Sequence, residues 1–419
     1  MRKKSIIVLG LFLLHGIAAA QPLAAGREKF LGNIINDGNS IPYKFAEIWN
    51  QVTPENAGKW GSVEGIKDNY NWANLDKIYQ FAKKRNFPFR MHTLVWGQQQ
   101  PGWIGSLPPD KQREQVEEWI RLVSERYPEI DFIDVVNEPL HETPVYAEAL
   151  GGKGATGWDW VIWSFEKARQ YFPNAKLHIN DYHILTGLAS ISDYLKIINL
   201  LKDRGLIDGI GCQGHFLEST SSKLITSRLN QLAKAGLPIY ITEYDVNIAD
   251  DTKQLNVFKD QFPAIYEHPA VAGMTLWGYM QGQMWRSDGY LIRSNGKDRP
   301  AMTWLRSYFN PGTSVQSAAE STPQEWRLEQ NFPNPCNSST VISFYLPEAS
   351  TISLIISDAS GRTVRTLAIG EHPEGKGSVV WDGLDEQKVP AASGVYFYTL
   401  QGGGRSHSFA ATRKLLLIR

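Results

Sequence analysis

Two short apolar runs of this 419-residue chain end in a glutamate: Ile133-Asp134-Val135-Val136-Asn137-Glu138-Pro139 and Ile239-Tyr240-Ile241-Thr242-Glu243-Tyr244-Asp245-Val246. Two strands that deliver carboxyl groups to one surface can hydrolyse an acetal. With the pair about 5 Å apart, one attacks the anomeric carbon and the other protonates the leaving oxygen. Identical groups must then differ in charge at one pH, and the nearness of two carboxylates achieves this by raising the proton affinity of one of them. The retained proton is assigned to Glu138 and the attack to Glu243. Once Glu243 is consumed as a glycosyl ester its charge is gone, the pKa of Glu138 falls, and Glu138 can deprotonate the incoming water. Asp245 follows Glu243 by two positions and so shares its strand face, while His215 ends another run; together they form a network to orient the nucleophile. Asn137, beside Glu138, is suited to hold the sugar 2-hydroxyl, a contact that strengthens in the oxocarbenium-like transition state.

Each piece also has a plainer reading. Asn-Glu-Pro alone is often a strand running into a turn. His215 and His92, taken singly, fit satisfied core histidines, and Trp96, Trp277 and Trp285 fit either barrel-top core or sugar platforms. Cys212 reads as a small buried filler. The histidines lack paired ligand spacing, so no metal and no cofactor is expected.

What must position these groups is visible between residues 26 and 310, where apolar runs alternate with amphipathic helical stretches. Eight runs are counted: Lys29 to Ile34, Glu47 to Val52, Pro88 to Trp96, Ile130 to Asn137, Lys176 to Tyr182, Gly209 to His215, Pro238 to Asp245 and Val271 to Trp277. Helical candidates between them include Trp72 to Arg85, Lys111 to Arg126, Trp158 to Tyr171, Ile191 to Asp203 and Leu224 to Ala235. The expectation is an α/β fold, a (β/α)8 TIM barrel over 24–310. Glu55 and Asn56, His92 and Trp96, Asn137 and Glu138, Asp181 and Tyr182, Gln213 and His215, Glu243 and Asp245, and Trp277 all sit at carboxyl ends of runs, the rim where barrel active sites are built.

The flanks differ in character. Residues 1–20 carry Arg2, Lys3 and Lys4, an apolar run from Ile6 to Leu14 and then Ala18-Ala19-Ala20, the layout of a cleaved secretory signal. That apolar run is shorter than the roughly 20 residues a membrane anchor needs. Residues 311–325 read as a linker, and 326–419 as a small all-β sandwich with strands at Val341 to Leu346, Ile352 to Ser357, Ser378 to Trp381, Val395 to Leu400 and Arg413 to Ile418. Lys plus Arg equals Asp plus Glu at 43 each, so no basic footprint attracts nucleic acid. The two cysteines, Cys212 and Cys336, fall in different expected domains and indicate no disulfide framework. A monomer is the default expectation.

At its strand ends the sequence resembles glycoside hydrolase family 10, the xylanase family, from about residue 24 to 310. The residues that carry the resemblance are Val52-Thr53-Pro54-Glu55-Asn56 with Lys59-Trp60, His92-Thr93-Leu94-Val95-Trp96, Val135 to Pro139, Asn180-Asp181-Tyr182, Gly209-Ile210-Gly211 with Gln213 and His215, and Ile241-Thr242-Glu243. The resemblance implies retaining endo-hydrolysis of β-1,4-xylosidic linkages in xylan and xylo-oligosaccharides by double displacement through a covalent glycosyl-enzyme intermediate. Glu138 would be its acid/base and Glu243 its nucleophile. Glu55, Asn56, Lys59, His92, Trp96, Asn137, Gln213 and His215 would contact the xylose units at and before the cleavage point. Trp277 and Trp285 look like the family's tryptophan lid, and Tyr182 like its aglycone-side platform. Xylose lacks the hydroxymethyl group at C5, so a tight tryptophan wall would reject glucose by collision. The chain departs from the family pattern at Gly97, where a His is usual, at Gln98-Gln99-Gln100 after it, at Tyr244 for Leu and at His183 for Asn. None of these positions carries a required proton, so subsite details rather than activity are affected.

The tail from about Leu328 resembles the carboxy-terminal sorting domain of type IX secretion and is also similar to an immunoglobulin-like repeat of flagellar-hook capping proteins. The supporting residues are Gln330 to Pro335, Ser357-Asp358 with Gly361-Arg362, Trp381-Asp382-Gly383, Ser393 to Tyr396 and Lys414 to Arg419. With the leader, this implies a secreted or cell-surface protein that meets secretion machinery through its tail. The other reading of the tail is an accessory sandwich that binds polysaccharide. For the barrel, the alternatives are a related retaining enzyme that prefers cellulose or mixed glucans and a catalytically silent carbohydrate-binding protein.

Overall fold

The computed structural model describes residues 21–310, 326–331, 334–337, 339–403 and 408–418. The expected signal and linker lie outside them. The chain divides into two compact units, Met1–Pro311 and Gly312–Arg419.

The first unit holds eight parallel strands: β1 Phe30–Ile35, β2 Val52–Pro54, β3 Arg90–Val95, β4 Phe132–Asn137, β5 Lys176–Asn180, β6 Gly209–Cys212, β7 Ile239–Tyr244 and β8 Val271–Leu276. Their order is β2-β1-β8-β7-β6-β5-β4-β3, and a parallel bridge from Val52 to Phe89 joins the two ends into a barrel. The strands are buried along almost their whole length, as a parallel sheet wrapped by helices requires. The helices turn one apolar stripe inward: Ala73–Lys83 buries Leu75, Ile78 and Ala82. Three later helices begin at side-chain caps, Ser190, Ser221 and Asp250, each accepting from the backbone N–H three residues on.

Aromatic residues serve the core as well as the rim. Tyr70, Trp72, Trp119 and Trp60 form a continuous stack outside the barrel, with successive ring centroids 5.8, 5.6 and 6.0 Å apart. Trp119 anchors it to β3 through an indole N–H donated to the Leu94 carbonyl.

One expected strand is wrong. The run Glu47 to Val52 opens inside a helical turn, Phe45–Ile48, and the strand begins only at Val52. Ile48 and Trp49 are fully buried there, so the run is apolar because it packs, and a short apolar run cannot by itself separate a buried turn from a strand.

In the second unit seven strands are described: β9 Arg327–Leu328, β10 Thr340–Leu346, β11 Ser350–Asp358, β12 Thr363–His372, β13 Gly375–Trp381, β14 Gly394–Gly403 and β15 Ser408–Leu417. They form a three-stranded sheet, β13-β10-β9, and a four-stranded antiparallel sheet, β12-β11-β14-β15. Trp381, Leu354, Ile356, Tyr398 and Leu415 are fully buried in a separate core. β12 went unread in the sequence because it is an edge strand with no buried residue and no apolar alternation to announce it.

Candidate active site

The carboxyl ends of β2 to β8, with the residues that follow them, converge on one cleft of about 470 Å³. All thirteen residues expected to act or bind line it: Glu55, Asn56, Lys59, His92, Trp96, Asn137, Glu138, Tyr182, Gln213, His215, Glu243, Trp277 and Trp285. Gln98, Gln99, His183 and Phe216 complete the lining.

Glu138 closes β4 with φ 57°, in the left-handed region that non-glycine residues rarely occupy. The turn is held because the N–H groups of His141 and Glu142 both donate to the Glu138 carbonyl, while the Glu138 N–H donates to the Asn180 carbonyl. Its carboxyl is buried and accepts from Trp96 Nε1 at 2.8 Å and Gln213 Nε2 at 2.8 Å. Burial raises its pKa above the ordinary carboxyl value, and the Glu243 charge adds to that rise against the two hydrogen bonds. The neighbouring carboxylate, expected from the sequence to be the cause, is the lesser one; desolvation is larger, as befits a carboxyl enclosed by tryptophan and amide groups.

Glu243, which lines the same cleft, is governed oppositely. Burial pushes its pKa up, but the His215 hydrogen bond and the charges of His92 and His215 outweigh burial and hold it below the ordinary range. Its Oε2 lies 3.1 Å from His215 Nε2, and its Oε1 accepts from Asn180 Nδ2 at 2.7 Å. His215 Nδ1 stands 3.0 Å from Asp245 Oδ2, an ion-pair distance off the line a hydrogen bond needs. Burial lowers the His215 pKa, yet Asp245 and then Glu243 raise it to about 9, so the ring is cationic at neutral pH. Asp245 does not line the cleft; it sits behind His215 and also accepts from Trp285 Nε1 at 2.8 Å and Arg286 Nη1 at 3.0 Å. The expected Glu243, His215, Asp245 network is therefore present, and it reaches the exposed indole of Trp285.

Asn180, part of the Asn-Asp-Tyr motif, is a site residue that the sequence alone does not mark out. Its amide donates to Asn137 Oδ1 at 2.8 Å as well as to Glu243, and its own carbonyl accepts from Thr242 Oγ1 at 2.6 Å, which fixes the amide's orientation. Beneath His92, Asp134 Oδ2 lies 3.0 Å from Nδ1, and Arg90 donates to Asp134 Oδ1 at 2.7 Å with all three side chains buried. Among the rim charges, Lys59 Nζ donates to Asn56 Oδ1 at 2.9 Å and Gln99 Oε1 at 2.6 Å; burial lowers its pKa and raises that of Glu55. Trp277 is buried against the His92 ring at 5.2 Å, whereas Trp285 is half exposed, so one tryptophan is wall and the other is open to a ligand.

Gly97 has a structural reason. A Cβ there would lie 2.5 Å from the Glu142 carbonyl oxygen, so the loop after β4 occupies the space a side chain would need. No group of three or more His, Cys, Asp or Glu side chains able to hold a metal is found among the described residues. Cys212 and Cys336 are both free and buried.

A closed β/α barrel whose rim brings together two buried carboxyls of opposite pKa tendency, in an aromatic-walled cleft, is the architecture of a barrel glycoside hydrolase. The sequence profile of Glycosyl hydrolase family 10 matches residues 23–308, and the chain belongs to that family. It is 43% identical over 288 residues to Endo-1,4-beta-xylanase B of Cellvibrio japonicus, covering 68% of this chain and 46% of that protein. It is 28% identical over 271 residues to Anti-sigma-I factor RsgI6 of Acetivibrio thermocellus, 64% of this chain and 34% of that one. The chain thus spans less than half the length of either relative. Among solved structures it is similar to native xylanase 10B from Thermotoga maritima, with TM-score 0.61, 26% identity, and coverage of 69% of this chain and 97% of that one. In the second unit, residues 336–405 match the FlgD Ig-like domain.

Proposed function

We propose that this protein is an endo-β-1,4-xylanase that hydrolyses xylan with retention of anomeric configuration, through a covalent intermediate on Glu243 and with Glu138 as acid/base. The observation that carries the reading is the opposite displacement of two carboxyl pKa values in one cleft, Glu138 upward by burial and Glu243 downward by His215. At a pH between the two values this leaves Glu243 an anion fit to attack and Glu138 the group that retains a proton. As the glycosidic bond breaks, Glu138 gives its proton to the leaving oxygen while Glu243 bonds to the anomeric carbon. Glycosylation removes the Glu243 charge, the Glu138 pKa falls, and Glu138 takes a proton from the water that releases the sugar. Asn137, oriented by Asn180, holds the 2-hydroxyl, and Glu55, Asn56, Lys59, His92, Trp96 and Gln213 bind the sugars on the glycone side.

The family membership, the Cellvibrio relative and the wall made by Trp277 support xylan rather than glucan. Proton NMR of xylohexaose hydrolysis tests the reading: the β-anomer is expected first, with soluble cellulose cleaved far more slowly than xylan. Early α-anomer, or equal rates on the two polymers, would overturn it.

We further propose that residues 1–20 direct export, that the tail engages type IX secretion machinery, and that the released or surface-held enzyme is a monomer. The FlgD-like match and the apolar leader support the first two, and the monomer is the default reading. Expression in a type IX-competent bacterium with and without residues 326–419 tests it; equal amounts of extracellular enzyme would reject the sorting role.

A further inference from the structure

We propose that His141 is a positioning residue for the leaving-group side of the cleft, holding Tyr182 rigid as the surface on which the departing sugar packs. This rests on the reading of Glu138 as the acid.

The Asp181 side chain is fully buried just past the end of β5. Its two oxygens are engaged by three donors from two loops: the N–H of Leu140 at 2.9 Å, the N–H of Tyr182 at 2.8 Å, and His141 Nδ1 at 2.7 Å. One carboxylate therefore ties the loop that carries Glu138 to the loop that carries Tyr182. Asp181 also raises the His141 pKa, with Glu138 and Glu142 adding to the same effect against partial burial, and His183 stands alongside. That ring lies flat on the Tyr182 ring, centroids 4.0 Å apart and planes 25° apart, the closest aromatic pair on the cleft rim. Two rings stacked this closely are held by dispersion over their whole faces, which holds Tyr182 against the ring that Asp181 fixes.

Tyr182 lines the cleft and His141 does not, so His141 acts through the tyrosine rather than on a ligand. The side of the cleft follows from the chemistry. The proton donor must stand beside the leaving oxygen, and Tyr182 and His141 flank Glu138, whereas the hydrogen-bonding cluster of Glu55, Asn56, Lys59 and Gln99 comes from the ends of β2 and β3. An aromatic face suits a sugar that must leave, and a set of directional polar contacts suits one that must stay fixed during two steps.

The test uses two substrates that share a glycone: xylotetraose, whose leaving part is sugar, and an aryl β-xylobioside, whose leaving group is a phenol. His141→Ala in the full chain is expected to lower kcat/KM on xylotetraose about three- to tenfold through KM, the loss of one stacked aromatic contact, and to change aryl xylobioside hydrolysis less than about twofold. His141→Phe, which keeps a ring on Tyr182, is expected to recover part of the loss, and His141→Gln, which keeps a donor to Asp181 without the ring, less. Equal loss on both substrates would overturn the proposal, because the residue would then serve Glu138 or the fold. No loss on either would overturn it too. A wild-type enzyme inactive on the aryl xylobioside would instead count against the proposed function itself.

Discussion

Replacing Asp245 by Asn removes a charge without removing volume, and the structure sets the size of the effect. The ordinary histidine value of 6.5 is raised to about 9 at His215. At about 1.4 kcal/mol per pH unit the rise corresponds to about 3 kcal/mol of preference for the cationic ring in the folded state. Burial opposes the rise, and Asp245 supplies the larger share of what overcomes it, with Glu243 second, so the Asn variant should forfeit about 2 kcal/mol at neutral pH. The sign follows from the direction of the shift. A raised histidine stabilises the fold fully below its unfolded value, and that stabilisation fades as pH climbs through about 9. The stability gap between wild type and Asp245→Asn, measured by urea unfolding of the barrel transition, should therefore be greatest near pH 6 and shrink toward pH 10. The His215 ring signals of the variant should titrate near or below 6.5 instead of about 9. A gap independent of pH, or an unmoved titration, would refute the reasoning that Asp245 acts by charge.

Glu138→Gln keeps the shape of the acid and removes its proton; hydrolysis of xylan is expected to fall by about 10² to 10⁴, with a smaller loss on aryl xylosides whose leaving group needs no proton, as steady-state rates on the two substrates will tell. The kcat/KM profile should be bell-shaped, with an acid limb below the ordinary carboxyl value of 4.5 because Glu243 is lowered and a basic limb above it because Glu138 is raised; a single limb would show that only one of them titrates in catalysis. Gly97→Ala places a methyl 2.5 Å from the Glu142 carbonyl oxygen, so it should displace the loop after β4 and cost about 1 to 3 kcal/mol, read as a lower unfolding midpoint with reduced activity. Trp381→Ala, in the core of the second unit, should lower that unit's unfolding by about 3 to 5 kcal/mol while the barrel's transition and xylan hydrolysis stay within error, as calorimetry and reducing-end assays can check.

The sequence announced the site better than it announced the frame. Strand ends were legible because a buried parallel strand is a largely apolar run and the first polar residue after it must lie at the rim, as for Glu55 after β2 and Gln213 after β6. Family resemblance then sorted rim residues that periodicity alone left ambiguous, among them Trp277, which is wall, and Trp285, which is open. The helix Asp251–Tyr266 was not picked out, and its residues are polar enough, with Pro263 inside it, to blur the apolar stripe. Connections made only in three dimensions were beyond reach: Asn180 joining Asn137 to Glu243, Arg90 behind Asp134 and His92, and Arg286 behind Asp245. Each links residues that lie dozens of positions apart, and no spacing rule relates them.

The most direct measurement is mass mapping of the enzyme after inactivation by a 2-fluoro-β-xylobioside with a good leaving group, which slows release of the sugar more than its attachment. One fluoroxylobiosyl group is expected, on the peptide carrying Glu243 and on that residue. A label on any other side chain, or turnover of the reagent without a covalent adduct, would contradict double displacement at Glu243.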